Sequence, residues 1–228
     1  MQTAIITGAS RGLGLALARA LARREWRLVI DARGARALQE AETELARMTD
    51  VVALPGDVTD DWHLNGLLDA AEGRVDALVN NASDLGPSPL PALSRYPLAA
   101  LQDVLAVNVL APLRLAQLAL PLMREGGRIV NVTSDAAVEA YEGWGGYGAS
   151  KAALEQLTRI LAAEHPDLRV YALDPGDMRT QMHQDAFPGE DISDRPPPED
   201  SVPALLALLE GDLASGRYRA GDLAAAPA

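Results

Sequence analysis

The chain has 228 residues, 48% hydrophobic and 23% charged, enough for one domain with a substantial core. It contains no cysteine, which excludes disulfides and thiolate metal sites, and its net charge of −12 argues against nucleic acid or an anionic membrane as the main partner. No apolar run approaches the length of a membrane span, and no basic segment followed by a cleavable apolar one opens the sequence, so a cytoplasmic location is expected.

Residues 3–7 form a short apolar run that predicts a buried parallel strand. It runs into Thr7-Gly8-Ala9-Ser10-Arg11-Gly12-Leu13-Gly14, followed by a helical run from Leu15 to Arg24. Strand, glycine turn and helix in that order suit a pyrophosphate: glycines let the backbone approach it, and a helix N-terminus supplies N–H groups. Leu28-Val29-Ile30 predicts the second strand, ending in Asp31-Ala32-Arg33 with Arg36 close behind. At such a strand end an acid would accept from a ribose 2′-hydroxyl and an arginine would pair with a 2′-phosphate. Both residue types are present, so the residues alone leave that choice open.

A helix over Ala35–Met48 leads to a third strand, Val51–Leu54, closed by Pro55-Gly56-Asp57-Val58. A helix over 60–72, capped by Thr59 or Asp60, precedes a fourth strand, Asp76–Val79, which enters Asn80-Asn81-Ala82-Ser83. Residues 84–96 read as a loop. A long apolar helix over Leu98–Met123 is interrupted by Asn108 and kinked by Pro112. Arg128–Val132 is the fifth strand, followed by Thr133-Ser134, and Arg169–Leu173 the sixth, ending in Asp174-Pro175-Gly176. Between them lies a helix from Tyr147 to about Glu164.

Residues 181–200 are acidic and proline-rich and read as an irregular, flexible flap over the substrate side. Ser201–Glu210 predicts a short helix and Ser215–Asp222 a last strand, with a frayed tail over 223–228. The whole is a single α/β domain, a doubly wound parallel sheet of about seven strands with helices on both faces. The Gly-rich turn, Asn80, Ser134 and Pro175-Gly176 all follow strand ends, so they share the edge where such sheets bind ligands.

Lys151 is the only lysine. It stands four residues after Tyr147, so a helix puts both side chains on one face, where an ammonium would draw the phenol down from about 10 toward neutrality. On this spacing alone a solitary surface lysine is the commoner reading.

Taken together, these stretches resemble the short-chain dehydrogenase/reductases over nearly the whole chain. Gly8, Ser10, Arg11, Gly12, Leu13 and Gly14 fall on that family's cofactor loop, Asp57-Val58 on the pair beside the adenine, and Asn80-Asn81-Ala82 on its Asn-Asn-Ala-Gly element. Asn108, Ser134, Tyr147 and Lys151 match its catalytic tetrad, with Ser134 the usual thirteen residues before Tyr147, and Pro175-Gly176, Met178 and Thr180 match the segment beside the nicotinamide.

The resemblance implies interconversion of a carbonyl and an alcohol with NAD(P)(H). Tyr147 would be the acid/base, Lys151 would lower its pKa and hold the nicotinamide ribose, Ser134 would bind the reacting oxygen, and Asn108 would hold a water leading to Lys151. It also implies NADP(H): Ala32 occupies the position of the family's discriminating acid, Arg33 that of its NADP(H) arginine, and Arg11 the second basic position. Asp31 keeps NAD(H) open, and a non-catalytic dinucleotide-binding regulator is the third alternative.

The chain departs from the family at Ser83, which replaces a glycine, and at Gly216–Arg219, which replaces an apolar last strand that often builds an oligomer interface. A homodimer through the long helix and the Tyr147 helix is therefore expected, with a tetramer as the alternative. The substrate is a small carbonyl or alcohol, with Leu85, Val138, Tyr141, Trp144, Met178 and Met182 as candidate walls and His183 as a candidate auxiliary acid. His63 and His165 have no metal-ligand spacing, and no metal is expected.

Overall fold

The computed structural model describes residues 1–224. Seven parallel strands form one sheet: β1 (Thr3–Ile6), β2 (Arg27–Ala32), β3 (Val51–Pro55), β4 (Ala77–Asn80), β5 (Arg128–Val132), β6 (Arg169–Asp174) and β7 (Gly216–Arg219). Their order across the sheet is β3-β2-β1-β4-β5-β6-β7. β1 starts both halves, pairing Ile5 with Val29 on one side and with Leu78 on the other. The order reverses there, which opens a crevice beyond the carboxyl ends of β1 and β4.

The helices in chain order are α1 (Gly12–Ala22), α2 (Ala35–Leu45), α3 (Asp61–Ala70), α4 (Leu98–Leu105), α5 (Ala111–Ala119), α6 (Gly145–Glu164), α7 (Gln181–Ala186), α8 (Val202–Glu210) and α9 (Ala220–Ala224). Both faces of the sheet are covered, which is why its strands read as continuous apolar runs. Ile6, Ile30, Val79 and Leu173 pack under Leu17 and Leu21 of α1 and Leu205 and Leu208 of α8. Ile5, Val29, Leu78 and Ile129 pack on the other face under Leu64 and Leu67 of α3 and Leu115 of α5. Truncating one of these fully buried leucines to alanine costs about 2–5 kcal/mol.

Four expectations are corrected. First, the interruption of the helix over Leu98–Met123 takes a form the sequence did not reveal. Pro112 sits in the first turn of α5, just after it. The interruption is a π turn over Ala106–Leu110, which widens the helix around Asn108.

Second, the run Leu98–Leu122 is long and apolar enough by length and composition to cross a membrane. In this fold Val104, Val109, Leu115, Ala116 and Ala119 spend that apolarity on the core.

Third, the 181–200 segment is not irregular throughout. Thr180 caps α7, its Oγ1 accepting from the His183 N–H at 3.3 Å, and Pro198–Ser201 forms a 3-10 turn. A helix of six residues is too short for apolar periodicity to reveal.

Fourth, the last strand spans Gly216–Arg219 rather than Ser215–Asp222, and Ala220–Ala224 continue as α9. Residues 223 and 224 of the expected tail are thus helical, and 225–228 lie outside the described residues.

Candidate active site

A cleft of about 1150 Å³ lies over the carboxyl ends of the strands and is closed on one side by α7. At one end the Gly-rich turn takes positive φ at Gly8 (+67°) and Gly12 (+57°), conformations that a side chain would strain. The turn is strapped to the end of β4. Asn81 Nδ2 donates to the carbonyls of Thr7 (2.9 Å) and Gly8 (3.1 Å), and Thr7 Oγ1 accepts from the N–H groups of Asn81 and Ala82, both at 3.0 Å. A Cβ on Gly14 would come within 2.6 Å of Asn81 Nδ2, so that glycine serves the close packing behind the turn. Ser10, Arg11, Gly12 and Leu13 face the cleft. The α1 N-terminus has neither a side-chain cap nor an acidic residue in its first turn. Its orphan N–H groups therefore point into the cleft with the positive end of the helix dipole, the donor set a pyrophosphate needs.

Beyond this turn, Arg11 and Arg33 are exposed and line the cleft with Asp57 and Val58. Asp31 lies on the inner side of this wall. It is buried (1% exposed); Oδ1 accepts from the Gly8 N–H at 2.7 Å and Oδ2 pairs with His63 Nε2 at 2.9 Å. Its carboxylate supports the Gly-rich turn from behind.

At the other end α6 brings Tyr147, Ser150, Lys151, Glu155 and Thr158 onto its buried face, an i, i+3/i+4 stripe that is polar where the sequence of a core helix is usually apolar. Lys151 is 2% exposed; its Nζ donates to the Val132 carbonyl at 2.8 Å and lies 5.4 Å from the centre of the Tyr147 ring. Burial pushes the Lys151 ammonium down to about 7. Burial also pushes the Tyr147 phenol well above its ordinary value; the neighbouring Ser83 hydroxyl opposes this, and the Asp174 and Asp135 carboxylates add to it. Burial of both side chains thus acts against the expectation that Lys151 brings the phenol toward neutrality.

Asn108 is fully buried behind this pair. Its Oδ1 accepts from Ser83 Oγ (3.0 Å) and the Asp84 N–H (2.7 Å), and its Nδ2 donates to the Asp84 carbonyl (2.8 Å) and Ser150 Oγ (2.9 Å). Ser134 lines the cleft beside Tyr147, with its hydroxyl donating to Asp135 Oδ1 at 2.9 Å. Tyr141 donates to the other oxygen of Asp135 at 3.0 Å.

The family described as short chain dehydrogenase matches residues 2–191. The chain belongs to the short-chain dehydrogenase family. It is 36% identical over 193 residues to a 3-oxoacyl-acyl-carrier-protein reductase of rhamnolipid biosynthesis from Pseudomonas aeruginosa, covering 78% of this chain and 73% of that one. Among solved structures it resembles a short-chain dehydrogenase from Escherichia coli CFT073 complexed with NADPH, at TM-score 0.83 and 30% identity over 96% of each chain. It also resembles an alcohol dehydrogenase from Thermococcus sibiricus complexed with 5-hydroxy-NADP, at TM-score 0.85 and 30% identity over 96% of this chain and 95% of that one. As a member of this family the protein is an oxidoreductase of alcohol and carbonyl groups.

In this short-chain dehydrogenase the cleft gathers most of the residues singled out in the sequence, including Ala82, Pro175, Gly176, Met178 and Thr180. Asn80 is turned away: its Nδ2 donates to Asn131 Oδ1 (2.7 Å), and Asn131 in turn to Thr158 Oγ1 (2.8 Å), a polar ladder inside the core. On the substrate side Leu85, Tyr141, Trp144, Met178 and Met182 line the cleft, whereas Val138 is 58% exposed and lies off it. Phe187, missed in the sequence, joins this wall, its ring 5.9 Å from Trp144, and Trp144 meets Tyr147 edge-on at 5.7 Å. His183 also lines the cleft, its ring tilted 38° to that of Phe187 at 4.9 Å.

A second group the sequence did not reveal lies beneath Ser134. Arg217 of β7 donates to Glu155 Oε1 (2.9 Å), to Asp174 Oδ2 (3.1 Å) and to the Ser134 carbonyl (3.4 Å), and Thr133 Oγ1 also reaches Glu155 Oε1 (2.9 Å). The legible signal was an acid one turn beyond Lys151, on the face of α6 that has to be buried.

Proposed function

We propose that this short-chain dehydrogenase is a carbonyl reductase that prefers NADP(H) to NAD(H), with Tyr147 as its general acid. The observation that carries the reading is the buried Tyr147–Lys151 pair at one end of a cleft whose other end presents Arg11, Arg33 and the uncapped α1 N-terminus. The cofactor-bound relatives described above support it.

The residues present fit a dinucleotide. Ser10, Gly12, Leu13 and the N–H groups of α1 would receive the pyrophosphate, and Arg11 and Arg33 the 2′-phosphate. Asp57 and Val58 would flank the adenine, Ala82, Pro175, Gly176, Met178 and Thr180 the nicotinamide half, and Lys151 the ribose between them. When bound, the dinucleotide supplies or accepts the hydride.

The protein's part is positioning and proton transfer. Because burial holds its pKa high, Tyr147 carries its proton at neutral pH and is ready to give it to the substrate oxygen during reduction. Ser134 donates to the same oxygen when its hydroxyl turns from Asp135. Lys151, with its pKa near 7, can release or take up a proton beneath the phenol. The side chain of Asn108 is fully engaged, so a relay water at this position would be held by its main chain, which the π turn frees from regular α-helical pairing. The apolar wall of Leu85, Trp144, Met182 and Phe187 suits a carbonyl with an apolar or aromatic body.

We also expect a homodimer through the α4–α5 and α6 faces, where Leu98, Leu110 and Ile160 are exposed and Ala149, Ala152 and Ala153 permit close helix approach. Calorimetric titration with NADPH and NADH tests the cofactor reading. NADPH should bind at least tenfold tighter, an advantage lost in Arg33→Ala; a preference for NADH would contradict it.

A further inference from the structure

Asp31 and Arg33 both line the adenosine end of the cleft, two residues apart in the chain. A carboxylate there repels a phosphate and competes with it for the arginine; it is also the natural acceptor for a ribose hydroxyl. Asp31 nevertheless has both oxygens engaged on the inner side, one by the Gly8 N–H and the other by His63. His63 comes from the first turn of α3, a different element, and its side chain is 8% exposed. Its ring lies flat against the backbone at Gly56, where a Cβ would run into it, and Gly56 directly precedes Asp57 and Val58. The ring is thus fixed by packing, and its Nε2 is aimed at one acceptor. Because that acceptor is a carboxylate, Nε2 carries the hydrogen.

We infer that His63 is a specificity-determining positioning residue: by holding Asp31 inward, it keeps Arg33 free for the 2′-phosphate and so sets the preference for NADP(H). The inference rests on the NADP(H) reading above and goes beyond it, because His63 is not among the residues that line the cleft and reaches Asp31 from outside it. Without the imidazole, the Gly8 N–H still holds one oxygen, but the second is released toward Arg33.

Isothermal titration of the purified protein with NADPH and with NADH tests this in wild type, His63→Leu, His63→Gln and the double variant His63→Leu/Asp31→Asn. Circular dichroism confirms that each variant titrated is folded. In His63→Leu the ratio of NADPH to NADH affinity should fall about tenfold, NADPH weakening while NADH holds or gains. His63→Gln, which keeps a donor, should fall less, and the double variant should recover the ratio because the released group is neutral. Should His63→Leu not fold, His63→Gln against wild type carries the same comparison, a lowered ratio supporting the assignment. Equal weakening of both cofactors, or an unchanged ratio, would make His63 a merely structural part of the turn and overturn it. A wild-type protein that prefers NADH would sink the NADP(H) reading as well, whereas a wild-type preference for NADPH with an unchanged variant ratio would sink only the role of His63.

Discussion

Arg217 Nε donates to Oε1 of Glu155 across 2.9 Å, and Glu155 stands on α6 one turn past Lys151. The same guanidinium reaches Asp174 and the Ser134 carbonyl. Two carboxylates, each 2% exposed, therefore depend on one arginine of β7 and, for Asp174, on Arg219 at 3.5 Å. Breaking a buried pair by removing one partner costs about 3–5 kcal/mol, because the remaining charge is left uncompensated. Arg217→Met should lower the free energy of unfolding by about that amount in a denaturant titration, and reduce turnover with it, since the Ser134 loop loses its support. A loss below about 1 kcal/mol would show that solvent screens this network.

The Lys151 pair gives a pH dependence with a definite sign. Its folded pKa near 7 lies below the unfolded value of 10.5, so between those limits the unfolded chain binds the extra proton. Stability of the protein without dinucleotide should therefore rise from pH 7 toward pH 10 as the cost of the buried ammonium disappears. The Tyr147 shift is of opposite sense, so its contribution is lost only above about pH 10, as the unfolded phenol ionises. Lys151→Met, which removes the charge and keeps the bulk, should flatten the rise in melting temperature between pH 7 and 10. An unchanged slope would mean that other groups set it.

The Ser83 hydroxyl donates to Asn108 Oδ1 at 3.0 Å and is the neighbouring group that lowers the Tyr147 pKa. Ser83→Gly should therefore raise that pKa further. In the oxidation direction, where Tyr147 must act as phenolate, the rising limb of kcat/KM against pH should move to higher pH. The reduction direction, which uses the phenol, should keep its activity at neutral pH. A profile that did not move would assign Ser83 to packing alone.

The sequence made the fold legible wherever one local rule governed it. The short apolar strands, the glycine turn between β1 and α1 and the placing of Tyr147 and Lys151 on one helix all act within a few neighbours, and each is found where it was expected. The parts that failed depend on distant partners. Asp31 could not be assigned because its fate is decided by His63, thirty-two residues away. Arg217 looked like the remnant of a degraded strand because Glu155 and Asp174, its reasons for being charged, are remote in the chain. The pKa direction of Tyr147 was misjudged because residue spacing reports a neighbouring charge but not the burial that overrides it.

The most direct measurement is carbonyl reduction by Tyr147→Phe, assayed with NADPH against a panel of aliphatic and aromatic ketones that wild type reduces, alongside calorimetric NADPH binding. The phenylalanine keeps the ring and its edge-on contact with Trp144 and removes only the acidic hydroxyl. NADPH affinity should stay within a few-fold of wild type while turnover falls by about 10²–10⁴, the share of a positioned acid. Undiminished turnover would contradict Tyr147 as the proton donor, and a wild-type protein that binds NADPH yet reduces no member of the panel would favour a dinucleotide-binding regulator.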